Sequence, residues 1–533
     1  MGSNRPWLDG NERPKLWARN IVGPDWPEEN QYEFASREGG AVISTANLAP
    51  SASEEFRKDL WLSRAIIGLI FLAASLPWLG YAPDDLFIHL RFARNLAHLG
   101  EWSFNPGEPV AGATSPPWVL GLAAAELVGA KPLIAAEALG LLTALALLWA
   151  FFSLLRKLGV PPRFAAFFSA ALGISHWLGL WSAAGMETAL APFLMVAGLG
   201  LFPRNRYSPI LGGCFLGLAT VARPDAFPAS LVLLAGILVA SGRGRRLKIT
   251  GSYALVAVFW PLVSRVYLGT WLPLTVTSKG GGMVDASRLP KVVLRTGAVA
   301  ASEMLPFLAL LMIGIVLDSD VRKRWKIWLF PLLAGMTYPL GYLVSQMRGG
   351  VEASGRYLVP WYGLLVLAAA LALFPWIGQP RRRTWLVLAA SLSIIQSAGV
   401  AVTHFPAVRR YQAYHEGTLM KAALWLKENA PAGSTVVSGD IGAVGFVGDV
   451  RVLDVFGIIN PDAPRWAAEG RTFEALKTQK PAYVLNPAWE LPFDMRRLEP
   501  YTASIIFARE HLDYRWTLHP GKFTATFREM RWD

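Results

Sequence analysis

The sequence predicts a mainly α, polytopic transmembrane protein with about eleven membrane-crossing helices, a structured first outer loop and a small α/β domain at its C-terminal end. Three observations predict it. Charged residues make up 17% of the 533-residue chain, below the ~25% of ordinary soluble domains, and mean hydropathy is +0.35. Apolar runs close to the ~20 residues that a helix needs to cross a bilayer recur between residues 61 and 402. Beyond residue 402, helical periodicity gives way to short β-branched runs between turns.

Taken in order, residues 1–60 are polar, carry both charge signs and show no periodicity, which predicts a largely disordered cytoplasmic tail rather than a signal peptide. The apolar segments are 61–80, 132–155, 162–181, 187–202, 208–222, 226–240, 249–268, 302–317, 326–345, 358–377 and 384–402, of which 208–240 also reads as a re-entrant pair. Short basic loops set their orientation: Arg156/Lys157/Arg163, Arg204/Arg206, Arg243/Arg245/Arg246/Lys248, Arg322/Lys323/Arg324/Lys326 and Arg381/Arg382/Arg383 belong on the cytoplasmic side. Much of the net charge of +13 sits in these loops, so it reports topology in a lipid bilayer rather than a nucleic-acid partner. The division that follows is a tail at 1–60, a transmembrane domain at 61–402 whose catalytic first outer loop is 81–131, and an extracytoplasmic α/β domain at 403–533. One cysteine, Cys214, excludes an intramolecular disulfide.

Within the first outer loop, Asp84 to Leu99 patterns as an amphipathic helix near the membrane interface, with Leu86, Leu90, Phe92, Leu96 and Leu99 as its apolar residues. Glu101 to Ser115 is turn-rich, and Pro116 to Val128 is an apolar helix too short to span. In the C-terminal domain, Tyr414 to Asn429 reads as a helix and 434–437, 451–455, 482–485 and 503–507 as strands. Gly442, Gly445 and Gly448 lack a dinucleotide-binding pattern and read as turns.

The organising feature is Asp84-Asp85, two carboxylates where the first apolar segment ends. Charges at a membrane exit are a functional hypothesis by default. Transfer of a sugar to a hydroxyl needs a carboxylate to take the proton, and a phosphate leaving group departs without an acid, so one catalytic carboxylate suffices. The neighbour can orient the acceptor or help hold a divalent cation, Mg2+ or Mn2+; no other cofactor is called for. The competing reading is a helix N-cap. Arg91 and Arg94 follow on the same helix and suit a phosphate, or else snorkel to headgroups. Glu187 in Gly185-Met-Glu-Thr188 opens a span on the Asp84 side, as a cavity residue or a dipole partner. Arg223 and Asp225 read as a structural ion pair, and His89 is given no role. Lys279 precedes Gly280-Gly281-Gly282, and either closes over a lipid phosphate or is a solvated loop lysine. Arg356 and Tyr357 are placed to donate to a phosphate, with Tyr357 also suited to an interface anchor.

Together, Asp84-Asp85-Leu-Phe-Ile with Arg91-Phe-Ala-Arg94-Asn95, then Phe104-Asn105-Pro106-Gly107-Glu108 and Gly112-Ala-Thr114-Ser115, resemble the first outer loop of bacterial GT-C glycosyltransferases. The likeness is nearest to the mycobacterial terminal-arabinofuranosyltransferase-like members of the protein-mannosyltransferase superfamily. It extends through Gly185–Thr188, Arg223-Pro224-Asp225, Pro273…Lys279, Arg356-Tyr357…Pro360 and Gly439-Asp440…Asp454…Asn460-Pro461, covering residues 61 to about 465. Pro273-Leu274-Thr275 stands where the family has Pro-Asn-Thr, and Val351-Glu352 where it has Gly-Gly-Asp.

The resemblance implies a GT-C fold and an inverting transferase that takes a sugar from a polyprenyl-phosphate donor at the outer face. The acceptor would be a glycan, lipid or protein. Asp84 would be the base with Asp85 beside it, and arginine or lysine residues would hold the carrier phosphate. Two other classes stay open: a lipid-linked-sugar flippase or transporter, which would favour inverted repeats that the sequence does not display, and a non-catalytic envelope protein whose outer domain binds glycan.

Overall fold

The computed structural model describes residues 50–202, 208–278, 284–348, 355–486, 491–513 and 521–532. In chain order the helices are α1 (Pro50–Ser75), α2 (Asp84–Leu99), α3 (Pro116–Leu127), α4 (Pro132–Lys157), α5 (Pro162–Gly173), α6 (His176–Ala183), α7 (Leu190–Leu201), α8 (Ser208–Ala222), α9 (Phe227–Val239), α10 (Arg243–Tyr267), α11 (Leu274–Ser278), α12 (Leu289–Ala300), α13 (Leu305–Leu317), α14 (Ser319–Lys323), α15 (Trp325–Met347), α16 (Gly355–Ala372) and α17 (Pro380–Tyr414). A π-helical stretch, His415–Met420, joins α17 to α18 (Lys421–Asn429).

Among the described residues, six helices are long and apolar enough to cross a membrane, or up to eight if each of two bent pairs is one span. The bent pairs are α5–α6, kinked by 62°, and Ala286–Ala300 with α13, kinked by 96°. The two breaks meet: buried Glu303 accepts hydrogen bonds from the hydroxyl of Ser175 and from the backbone N–H of His176 at 2.6 Å. Three shorter apolar helices cover 187–201, 208–222 and 224–239. α16 is buried along nearly its whole length and forms the axis of the bundle, whereas α1, α10 and α17 present leucines, valines and tryptophans outward, the pattern of a lipid-facing surface. The chain is an integral membrane protein.

The C-terminal unit holds β1 (Thr435–Ser438), α19 (Gly442–Gly448), β2 (Arg451–Asp454), α20 (Ala463–Ala468), α21 (Thr472–Gln479), β3 (Tyr483–Asn486), β4 (Thr502–Leu512) and β5 (Lys522–Met530) in one sheet of order β2-β1-β3-β5-β4. β1 pairs in parallel with β2 and β3, with Val437 opposite both Leu453 and Val484; β5 runs antiparallel to β3 and β4. Alternation along each strand gives two apolar faces. Val436, Val452, Leu485 and Phe527 join the core that continues into the helical bundle, while Val437, Leu453, Val484 and Met530 pack under Phe473 and Leu476 of α21.

Three sequence readings are corrected here. α2 does not lay its apolar face on lipid: Leu86, Leu90 and Phe92 are buried in protein against α3 and α19, and of the five predicted apolar residues only Leu99 is exposed. The glycine run from 442 to 448 is a helix rather than a set of turns. β5 has no counterpart among the predicted strands. It alternates Lys522, Thr524, Thr526 and Arg528 with Phe523, Ala525 and Phe527, so its apolar content is too low to read as a core strand.

Candidate active site

α2 begins immediately after Pro83, whose extended backbone (φ −72°, ψ 155°) sets the start of the helix at Asp84. Successive helical residues are rotated by about 100° around the axis, so Asp84 and Asp85 leave α2 on different sides. The Asp84 carboxylate accepts hydrogen bonds from the backbone N–H groups of Gly442 at 2.7 Å and Ala443 at 2.8 Å, capping the N-terminus of α19. Its own N–H donates to the Tyr411 hydroxyl at 2.9 Å. Burial pushes the Asp84 carboxyl above the usual carboxylate range, and the charge of Asp440 adds to this; the N–H groups of Ala443 and Gly442 oppose both. Only glycine fits at 442, because a Cβ there would lie 2.0 Å from the Asp84 carbonyl oxygen.

Asp85 faces the other way, into a cavity of about 450 Å³. Arg356 donates to its carboxylate at 2.5 Å and to Glu187 at 3.4 Å. Arg223 donates to Glu187 at 3.0 Å and grips Asp225 with two nitrogens at 2.7 and 3.0 Å, a bidentate pair. Tyr342 donates to Asp225 at 2.9 Å and stacks on Tyr357, ring centroids 4.7 Å apart. The Asp85 side chain keeps 37% of its surface exposed, against 24% for Asp225 and 2% for Glu187, so Asp85 is the most accessible of the three cavity carboxylates. His89 lies one turn along α2, its Nδ1 3.9 Å from Glu187; burial pushes this imidazole below its ordinary value, against the pull of Glu187. Arg348 is exposed at the end of α15 and also lines the cavity.

The remaining wall comes from the C-terminal unit and the first loop. The Asp454 carboxylate accepts hydrogen bonds from the N–H groups of Phe456 at 2.7 Å, Ile459 at 2.8 Å and Ile458. The loop so fixed places Ile458 against the cavity and leaves no room beside Gly112, where a Cβ would meet Ile459 at 2.8 Å and the Ile458 carbonyl at 2.9 Å. Asn105 exchanges two hydrogen bonds with Val452, extending edge strand β2 toward the first loop.

Of the eight residues singled out from sequence, Asp85, Glu187, Arg356 and Tyr357 meet at the cavity. Asp84 does not line it. Nor do Arg91 and Arg94: Arg91 donates to the Phe104 carbonyl at 3.0 Å and pairs with Asp449, and Arg94 donates to the Phe446 carbonyl at 2.8 Å with its guanidinium 3.7 Å over the Phe446 ring. Both are braces between α2 and α19, because positions 6 and 9 residues after Asp85 put them on the helix face that the C-terminal unit covers. Lys279 lies outside the described residues. Arg223 and Asp225 form the ion pair read from sequence, and they line the cavity as well. Sequence reasoning missed His89, Thr275, Tyr338, Tyr342 and Arg348. A signal existed for three of them: Tyr338, Tyr342 and Arg348 recur, together with Ser345, at helical spacing along one face of an otherwise apolar span.

The described donor set does not fit a divalent cation. Asp85, Glu187 and Asp225 are each held by a guanidinium and Asp84 by backbone N–H groups, and no three His, Cys, Asp or Glu side chains cluster among the described residues.

Residues 406–527 match a family described as a domain of unknown function (DUF8728). No curated protein matches the sequence. Among solved structures, ArnT from Cupriavidus metallidurans bound to undecaprenyl phosphate is 13% identical, with a TM-score of 0.54 over 88% of this chain and 97% of that one. Its apo state is 12% identical, with a TM-score of 0.55 over 90% and 98%. The arabinofuranosyltransferase AftD from Mycobacteria is 16% identical at a TM-score of 0.48, over 80% of this chain and 35% of that one. The likeness to ArnT runs over nearly the whole of both chains, and this chain has the GT-C fold.

Proposed function

We propose that the protein is an inverting glycosyltransferase that moves a sugar from a polyprenyl-phosphate donor to an acceptor hydroxyl at the outer membrane face. The observation that carries the reading is Asp85: a carboxylate at the wall of a membrane-protein cavity, fixed by Arg356 yet accessible. Asp85 takes the proton from the acceptor hydroxyl as that oxygen attacks the anomeric carbon. The bond from the anomeric carbon to the phosphate oxygen breaks on the opposite face, and its electron pair leaves with the carrier phosphate. Arg348 at the mouth and Arg356 inside offer the positive charge that stabilises this phosphate. Tyr357 acts through its stacking on Tyr342. Asp84 is assigned to anchoring the C-terminal unit, which reverses the division that the resemblance implied.

The fold of ArnT, solved with undecaprenyl phosphate, supports a polyprenyl carrier. The topology proposed with this function keeps residues 1–60 cytoplasmic, 61–402 in the membrane and 403–533 outside, as the basic loops indicate. The test is transfer: purified full-length protein in nanodiscs, given polyprenyl phosphates carrying different radiolabelled sugars and a cell-envelope extract as acceptor, forms labelled glycoside. Release of free sugar alone, or movement of donor between leaflets without a new glycosidic bond, contradicts the proposal.

A further inference from the structure

Several polar atoms in the cavity wall have no hydrogen-bond partner among the described residues: His89 Nδ1, Glu187 Oε2, Thr275 Oγ1, Tyr338 OH and Arg356 Nε. All five residues are more than nine-tenths buried, Tyr338 keeping 1% and Glu187 2% of its surface exposed. A buried polar group left unpaired is costly, and most such groups in folded proteins are satisfied. Five of them around one cavity therefore mark where a polar ligand, or the water it displaces, completes the wall.

Their chemistry narrows the ligand. Glu187 Oε2 only accepts and Arg356 Nε only donates, whereas the two hydroxyls and a neutral imidazole do either. Such a mixture suits hydroxyl groups, which themselves donate and accept. The charges narrow it further. Asp85, Glu187 and Asp225 face Arg223 and Arg356, each already paired with two of these carboxylates, and the third lining arginine, Arg348, is exposed and taken up by the carrier phosphate in the reading above. A carboxylate on the ligand would meet an excess of negative charge.

We infer that His89, Glu187, Thr275 and Tyr338 form the subsite for the hydroxyls of a neutral sugar ring and select against uronic acids. The inference rests on the glycosyl-donor reading above and adds the class of sugar. Thr275 enters the site because Leu274 N–H donates to the Ala111 carbonyl at 2.8 Å, which holds α11 against the first loop. Tyr338 enters it from the α15 stripe.

The test measures equilibrium binding to the full chain in nanodiscs, with undecaprenyl phosphate bare and loaded with mannose, arabinofuranose or glucuronate as probes. Wild type is expected to bind at least one neutral loaded carrier about tenfold more tightly than the bare carrier, with no gain for the glucuronosyl carrier. The Tyr338→Phe/Thr275→Val variant should bind bare carrier like wild type, which reports its folding, and lose most of the gain. A gain that survives in that variant, an equal gain for glucuronate, or no gain for any neutral sugar overturns the subsite while leaving carrier binding intact. Failure of wild type to bind any of the lipids overturns the donor reading and this inference together.

Discussion

Asp84 and Asp85 are consecutive in the chain and turn their carboxylates to opposite partners: Asp84 to the N–H groups of Gly442 and Ala443, Asp85 to the guanidinium of Arg356. The first contact joins the membrane bundle to the C-terminal unit, and the second sits at the cavity. One dipeptide thus ties the position of the C-terminal sheet to the geometry of the site, since any shift of α19 pulls on the first turn of α2.

The Asp84 contact predicts the effect of Gly442→Ala. The new methyl would lie 2.0 Å from the Asp84 carbonyl oxygen, so helix α2 or α19 must move. Overpacking of this kind costs about 1–3 kcal/mol. Thermal unfolding of the full chain in detergent should show a lower Tm, and an unchanged Tm would mean that the two helices are not in close contact.

Arg91 is buried and braced on Phe104 and Asp449, away from the cavity. Arg91→Met is expected to lower stability by about 1–3 kcal/mol through the lost pair with Asp449, left facing α2, and the lost hydrogen bond to the Phe104 carbonyl, which Asn95 still holds at 2.9 Å. The donor KM of the folded fraction should stay at the wild-type value. A raised KM at unchanged Tm would place Arg91 on the phosphate instead.

Asp84 and Asp440 give a pH dependence with a definite sign. The folded-state Asp84 carboxyl is raised from 3.8 to about 8, chiefly by burial and next by the Asp440 charge. A group raised on folding contributes its stability fully below the unfolded value and loses it as pH rises through the folded one. Stability should therefore fall between about pH 4 and about pH 8. Asp440→Asn removes the second cause, and Tm measured from pH 5 to pH 8 should fall less steeply than in wild type. Equal slopes would show that Asp440 does not act on Asp84.

Asp454 holds the loop that carries Ile458 to the cavity. Asp454→Ala leaves three N–H groups, that of Ile459 fully buried, without their acceptor and frees that wall. Expected outcomes are a Tm loss and a several-fold rise in substrate KM with a smaller change in kcat. If KM is untouched while Tm falls, the loop is structural only.

Much of this architecture was legible in the chain. The apolar segments and their basic loops are written in composition, which tertiary packing does not alter, and the α2 boundaries follow from Pro83 and Gly100. Asp85, Glu187, Arg356 and Tyr357 stood out because polar residues next to apolar segments are rare. The direction of each side chain was not legible. The pattern that puts Asp84, Arg91 and Arg94 on one helix gives no indication that α19 covers them, since α19 lies more than 340 residues away in sequence. The stripe from Tyr338 to Arg348 was readable by period, but aromatic residues in a span more often anchor it at the interface.

The central claim is that Asp85 performs the chemistry and Asp84 holds the scaffold. The most direct measurement is the transfer rate per folded molecule, at saturating donor, for Asp85→Asn and Asp84→Asn prepared alike, with Tm recorded for each. The account predicts that Asp85→Asn loses about 10²–10⁴-fold in rate at a Tm near wild type, while Asp84→Asn loses Tm and keeps most of its rate per folded molecule. An Asp85→Asn protein of undiminished rate, or an Asp84→Asn protein that is stable and inactive, would contradict it.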